Sequence, residues 1–224
     1  MDLPSRVLFE MVQNKRAQPA ARPGAKRSPG RPRAYDPETA LQQAIQAFWK
    51  TGYSGTSLDD IAAATGMNRP SLYLAFGDKR ALYLKALHHY WQLGYAAMDE
   101  ALAYDRPLPE ALMRVYHGAL AMYFSGGGHP RGCFAIGTAT TEAVEDPEIR
   151  EALMDGLRTL DDRFAMRIRA AQGNGEISRA AVPTVLAMLA SGTLHSIAVR
   201  ARSGASRAEL EQLARDAVSI ICRA

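Results

Sequence analysis

Apolar residues recur every three to four positions from Leu41 almost to the end of the chain, the spacing of one face of an α-helix. Leu41, Ile45, Phe48 and Trp49 form the first such face. Asp36-Pro37-Glu38 precedes it, with proline in a first turn and acids beside the positive end of the helix dipole. Gly52 and Gly55 close this helix. Thr56 or Ser57 is placed to cap a second, with Asp59 or Asp60 as its capping-box partner, running to about Thr65 before Gly66 breaks it. Asn68 caps a third short helix, which tolerates Pro70 in its first turn and ends at Phe76-Gly77. Asp78 caps a fourth, along which Leu84, Leu87, Trp91, Tyr95, Met98 and Leu102 continue the stripe. Further helices are predicted over about 109–125, 133–144, 147–171, 179–203 and 206–222. The segment 147–171 is the clearest, with Ile149, Leu153, Leu157, Leu160, Phe164 and Ile168 spaced by four or three. Gly126-Gly127-Gly128 and Gly173-Asn174-Gly175 are the strongest breakers. No segment alternates with period two long enough to make a strand, and no internal repeat is present. The pattern predicts an all-α fold of about nine helices.

Residues 1–34 lack this periodicity and are rich in Pro, Ala, Gly and Arg, a composition expected to be disordered in isolation. They hold eight Lys or Arg against Asp2 and Glu10, a balance of +6, whereas residues 35–224 carry −2. The basic character therefore belongs to an arm on a mildly acidic body, and such an arm suits an anionic partner, most often nucleic acid. The composition of 47% hydrophobic and 22% charged residues excludes collagen-like and wholly disordered chains. The longest apolar stretch, Val182 to Val199, is interrupted by Pro183, Ser191, Gly192 and His195, so no membrane span is expected. Val7 to Val12 is too short, and carries Glu10, for a signal peptide. Two cysteines, Cys133 and Cys222, make no disulfide framework, which suits a reducing cytoplasm.

The informative stretch is Leu58 to Gly77. Two helices of about seven residues joined by a tight turn bury little alone, and become stable when they cross beneath a third helix, the helix-turn-helix arrangement. Ile61, Met67 and Leu72 supply inward groups, Ala62 is small where the helices approach, and Gly66 permits the turn. Asn68, Arg69, Ser71 and Tyr73 are left as a polar set able to face a groove. A plain helical hairpin would satisfy the same capping signals.

Residues 31–85 closely resemble the N-terminal DNA-binding domain of the TetR family of regulators. Phe48…Gly52-Tyr53, Thr56-Ser57, Ile61-Ala62, Gly66, Ser71-Leu72-Tyr73 and Phe76-Gly77-Asp78-Lys79-Arg80 carry the resemblance. It implies a homodimeric transcriptional regulator, usually a repressor, with a helix-turn-helix head over 35–80. The body over 81–224 would bind a small organic effector and dimerise through its last two helices. By position, Arg69, Pro70 and Ser71 would enter the major groove beside Asn68, and Tyr73, Lys79 and Thr56 or Ser57 would grip phosphates. Helix N-termini offer free N–H groups and partial positive charge to such anions. Phosphate contacts position a protein and base edges specify sequence, which makes Arg69 the candidate for reading guanine. Pro29-Gly30-Arg31-Pro32-Arg33 resembles an AT-hook core, placing Arg31 and Arg33 in a narrow minor groove.

In the body, Trp91, Tyr95, Tyr116, Met122, Tyr123, Phe134, Phe164, Met166 and Met188 are candidate pocket residues, although such residues at helical spacing are more often simple core. Thr138, Tyr116 and His195 would supply polar contacts. Cys133 appears at a helix start after His129 and Arg131, an environment that favours thiolate, and its Arg-Gly-Cys context resembles family members that sense electrophiles or oxidants. The competing expectation is a small buried hydrophobe. The five histidines are too scattered for a metal site, no cofactor motif is present, and HExxH, Walker and GxSxG sequences are absent, which argues against an enzyme. An architectural binder of A·T-rich DNA, working through the arm alone, would have no use for the aromatic-rich body.

Overall fold

A computed structural model describes residues 35–125 and 128–223. Among them are nine helices and no strand: α1 (Pro37–Thr51), α2 (Leu58–Thr65), α3 (Arg69–Phe76), α4 (Lys79–Ala101), α5 (Leu108–Tyr123), α6 (Phe134–Glu142), α7 (Pro147–Gly173), α8 (Pro183–Arg202) and α9 (Arg207–Arg223). The basic arm, with Arg31 and Arg33, lies outside the described residues.

The helix starts follow the local chemistry. Asp36, Asn68 and Asp78 each accept a backbone N–H three residues on, capping α1, α3 and α4. Between the two candidates for the α2 cap, Ser57 takes the role and closes a reciprocal capping box with Asp60. Helix α8 begins four residues later than its apolar spacing suggested. The carboxamide of Gln172 donates to the carbonyls of Ser178, Arg179 and Ala181, which holds them in a loop, and Pro183 then opens the helix.

Helices α1–α3 bury Ile45, Phe48, Ile61, Met67, Leu72 and Phe76 against one another. Tyr83 of α4 meets Phe48 edge-on with centroids 5.2 Å apart, so the first turns of α4 cover this head. The expected boundary after residue 80 thus falls inside a continuous helix of 23 residues, about 35 Å long at 1.5 Å per residue. Its distal half packs into the body formed by α5–α9. Helix α8 is long and apolar enough, by length and composition, to cross a membrane. One of its faces packs into the core through Leu186, Ala187, Ala190, Leu194, Ile197 and Ala201, while Val185, Met188, Leu189 and Val199 are exposed.

Head and body are also tied by charge. Asp146 caps α7 through the N–H groups of Glu148 and Ile149, and receives Arg80 of α4 at 2.5 and 2.7 Å. The Arg80 hydrogen bonds lower the Asp146 pKa from 3.8 to about 2. A carboxylate depressed on folding stabilises the native state above its unfolded pKa and loses that contribution as pH falls through the folded value. Wild type should therefore lose stability between about pH 4 and 2, and Asp146→Asn should lose less over that interval while being about 1 kcal/mol weaker at pH 7. Urea midpoints at pH 7 and pH 3 check this.

Candidate nucleic-acid interface and body cavity

The starts of α2, α3 and α4 present most of the residues expected to meet DNA. Ser57 and Asn68 are exposed, with Ser57 Oγ and Asn68 Oδ1 engaged as caps. Pro70 lies exposed in the first turn of α3 and Ser71 is half-buried. Tyr73 is 53% exposed on α3, next to Leu74 at 90%. The guanidinium of Arg69 donates through Nε and Nη2 to Asp59 of α2, at 2.6 and 2.5 Å. That side-on pair ties α2 to α3 and leaves both Nη1 hydrogens and the second Nη2 hydrogen for another acceptor. Lys79 holds its ammonium 4.4 Å from the centroid of Tyr53. The expected phosphate grip of Thr56 is corrected: the residue is fully buried, its hydroxyl donating to the Gly52 carbonyl and bonded to that of Thr51. Asp59, expected as an alternative capping-box partner, instead pairs with Arg69, a role the sequence did not indicate. It sits ten residues from Arg69, and only the crossing of the two helices brings the charges together.

The body contains a cavity of about 90 Å³ between α4, α5, α7 and α8. Trp91, Tyr95, Tyr123, Cys133 and His195 line it, as do Tyr90, Met98 and Met122. Gly94, Arg114 and Gly118 lie at its half-exposed edge. Six expected pocket residues face elsewhere. Tyr116 is buried and donates to the carbonyl of Ala190, and Thr138 donates to the carbonyl of Phe134 and bonds the Tyr83 hydroxyl. Phe134 packs among Trp49, Tyr83 and Tyr90, and Phe164 is wholly buried in the core. Met166 and Met188 are exposed on the outer faces of α7 and α8.

Cys133 precedes α6 as its N-cap, as the sequence suggested, but its environment differs from the expected one. The Tyr90 hydroxyl donates to Cys133 Sγ at 3.2 Å. Burial pushes the thiol pKa up, outweighing the N–H groups of Ile136 and Ala135 and the hydroxyls of Tyr90 and Tyr123 that act to lower it. Arg131 supplies no compensating charge there. It turns to α1, bonding Gln46 and covering the ring of Trp49 at 4.6 Å. The expectation of a poised thiolate is thus corrected to a buried thiol. His195 also stands below its usual pKa because of burial, which keeps it neutral at pH 7. Among the described residues no three His, Cys, Asp or Glu gather as metal ligands.

Gly156 of α7 packs behind two of the lining residues, Trp91 and Tyr95. A Cβ there would overlap the indole of Trp91, and the Gly156 carbonyl accepts the Tyr95 hydroxyl at 3.0 Å. Gly156→Ala should displace the indole, cost about 1–3 kcal/mol of stability and change the tryptophan emission. Denaturant midpoint and fluorescence together check it.

The model for bacterial regulatory proteins of the tetR family matches residues 40–91. The transcriptional repressor ComR of Escherichia coli K12 is 33% identical over 196 residues, covering 84% of this chain and 90% of ComR. The repressor BdcR of the same strain is 34% identical over 127 residues, covering 56% of this chain and 61% of BdcR. Among solved structures, a cysteine-substituted TetR family regulator CifR with 26-base-pair operator DNA is 30% identical, with a TM-score of 0.77 over 84% of this chain and 98% of that one.

Proposed function

Because this chain belongs to the TetR family of bacterial regulatory proteins, we propose that it is a cytoplasmic homodimeric repressor released from a palindromic operator when a small organic effector fills the body cavity. The observation that carries this reading is the continuity of α4. One rigid helix contributes Lys79 and Arg80 beside the head and Tyr90, Trp91, Tyr95 and Met98 to the cavity wall. A shift of that helix to admit a ligand would reposition the head. A tenfold loss of DNA affinity needs only about 1.4 kcal/mol of coupling.

Dimerisation through α8 and α9 is supported by the apolar residues they expose, Val185, Met188, Leu189 and Val199 on one and Ile220 on the other. Two heads related by a twofold axis would enter successive major grooves, with half-sites one or more helical turns apart. In this reading Ser57, Lys79 and Tyr73 engage phosphates, Asn68, Pro70 and Ser71 lie in the groove, Arg69 reads a base, and Arg31 and Arg33 lie along the minor groove.

Selection of bound sequences from a random DNA library with the purified full chain tests the proposal. A palindromic consensus is expected, whereas enrichment of A·T-rich DNA without symmetry would overturn it in favour of an architectural binder. A variant beginning at residue 35 should bind the selected operator more weakly and with a flatter salt dependence, since fewer counterions are released. An unchanged slope would remove the arm from the interface. A Cys133-based oxidant response is the weaker second reading, given the buried, protonated thiol.

A further inference from the structure

We propose that the cavity takes an uncharged, single-ring aromatic compound bearing one hydrogen-bond-accepting oxygen, the chemistry of simple phenols, aryl ethers and aryl ketones. The inference rests on the effector reading above and specifies the effector's class.

Size comes first. The cavity of about 90 Å³ is smaller than the engineered apolar cavity of about 150 Å³ that admits benzene. One ring, its substituent directed to the half-exposed edge, is therefore the upper limit without rearrangement, and fused rings are too large. Shape and polarisability come next. Tyr90, Trp91, Tyr95 and Tyr123 contribute four aromatic rings and Met98 and Met122 two thioethers. Trp91 and Tyr95 already stack at 5.7 Å. Rings and sulfur both favour an aromatic guest over a saturated one of equal size, because ring quadrupoles and polarisable thioethers add to area burial.

Charge is decided by what the wall lacks. Among the described residues no carboxylate lines the cavity, so a cation has no counter-charge there. The one guanidinium on the lining, Arg114, lies 3.4 Å from Glu110 and is already balanced. An anion would give up its hydration for no free positive partner. The oxygen is called for by His195, a lining residue whose buried Nε2 has no hydrogen-bond partner among the described residues. With its proton on Nε2 the neutral imidazole is a donor there, and a ligand oxygen would satisfy it.

Phenol, cyclohexanol and benzoate at pH 7 separate these elements in calorimetric titrations of the full chain, with operator release measured in parallel. Phenol should bind at least tenfold more tightly than either of the others. Gly94→Phe should abolish that binding: Gly94 is on the lining and a Cβ there meets nothing, so the ring can occupy the cavity edge without disturbing the fold. His195→Phe should weaken phenol binding and leave melting near wild type. Benzoate binding as tightly as phenol would overturn the neutral-ligand assignment, and cyclohexanol doing so would overturn the aromatic one. Absence of phenol binding, or binding undiminished by Gly94→Phe, would overturn the proposal entirely. Preferential phenol binding at this cavity with operator affinity unchanged would uphold the ligand class and defeat the release mechanism.

Discussion

Arg69→Ala should lower operator affinity at least tenfold and relax the base preference at one position of each half-site. A bidentate arginine–guanine contact discriminates by about 1–3 kcal/mol, and a dimer loses it twice. In the free protein the side chain is held by a neighbouring carboxylate. Asp59 binds the Nε–Nη2 edge at the first turn of α3, which restrains the plane of the guanidinium and leaves its Nη1 end out of that pair. Asp59→Asn should have a different signature. It loosens the fork and also removes a negative charge beside the phosphates, so specific binding falls less and binding to random DNA rises. Tyr73→Phe, which deletes only a hydroxyl, should weaken both DNAs alike. Competition titrations at fixed salt with operator and random duplexes distinguish the three. An Arg69→Ala variant that loses equally on both duplexes would place that arginine on a phosphate.

The head was legible because its determinants are local. Asp36, Asn68 and Asp78 cap helices that begin one residue later, and Gly66, with φ +65, makes the turn between Thr65 at the end of α2 and the next cap, Asn68. Side chains three residues apart carry that information without help from the fold. Where two neighbours could serve, at Thr56 and Ser57, burial decided, and burial is a property of the assembled head. Arg69 with Asp59 escaped detection for the same reason, since the pair exists only across the helix crossing. In the body, helical spacing identified buried residues and could not say which buried face borders empty space. Tyr116 and Phe134 share burial and size with Tyr123 and Tyr90, yet their neighbours fill the volume around them. Cys133 failed differently. Its helix N-terminus was read correctly, but desolvation outweighs it, and Arg131 two residues away in sequence points to another helix.

Gly132→Ala should be among the most disruptive single substitutions in the body, lowering stability by about 2–4 kcal/mol and the melting temperature by roughly 5–15 °C. Two costs coincide there. Gly132 has φ +66, a conformation that L side chains rarely adopt, and a Cβ would overlap the backbone carbonyl of Ala198 on α8. Backbone oxygen in a packed helix cannot swing aside as a side chain could. Gly128→Ala provides the control, because a Cβ at that position meets nothing and φ carries no penalty, so its melting temperature should stay near wild type. The position matters beyond stability. On one side of Gly132, Arg131 bonds Gln46, covers Trp49 of the head and donates its N–H to the Tyr123 carbonyl. On the other, Cys133 receives the Tyr90 hydroxyl at the cavity wall. The glycine pins to α8 a three-residue bridge between cavity and head. A Gly132→Ala protein that remains folded at low temperature should therefore bind operator less tightly and respond less to any cavity ligand. If it melts with Gly128→Ala and wild type, the close approach to Ala198 is not maintained in solution, and α4 alone would have to carry the coupling.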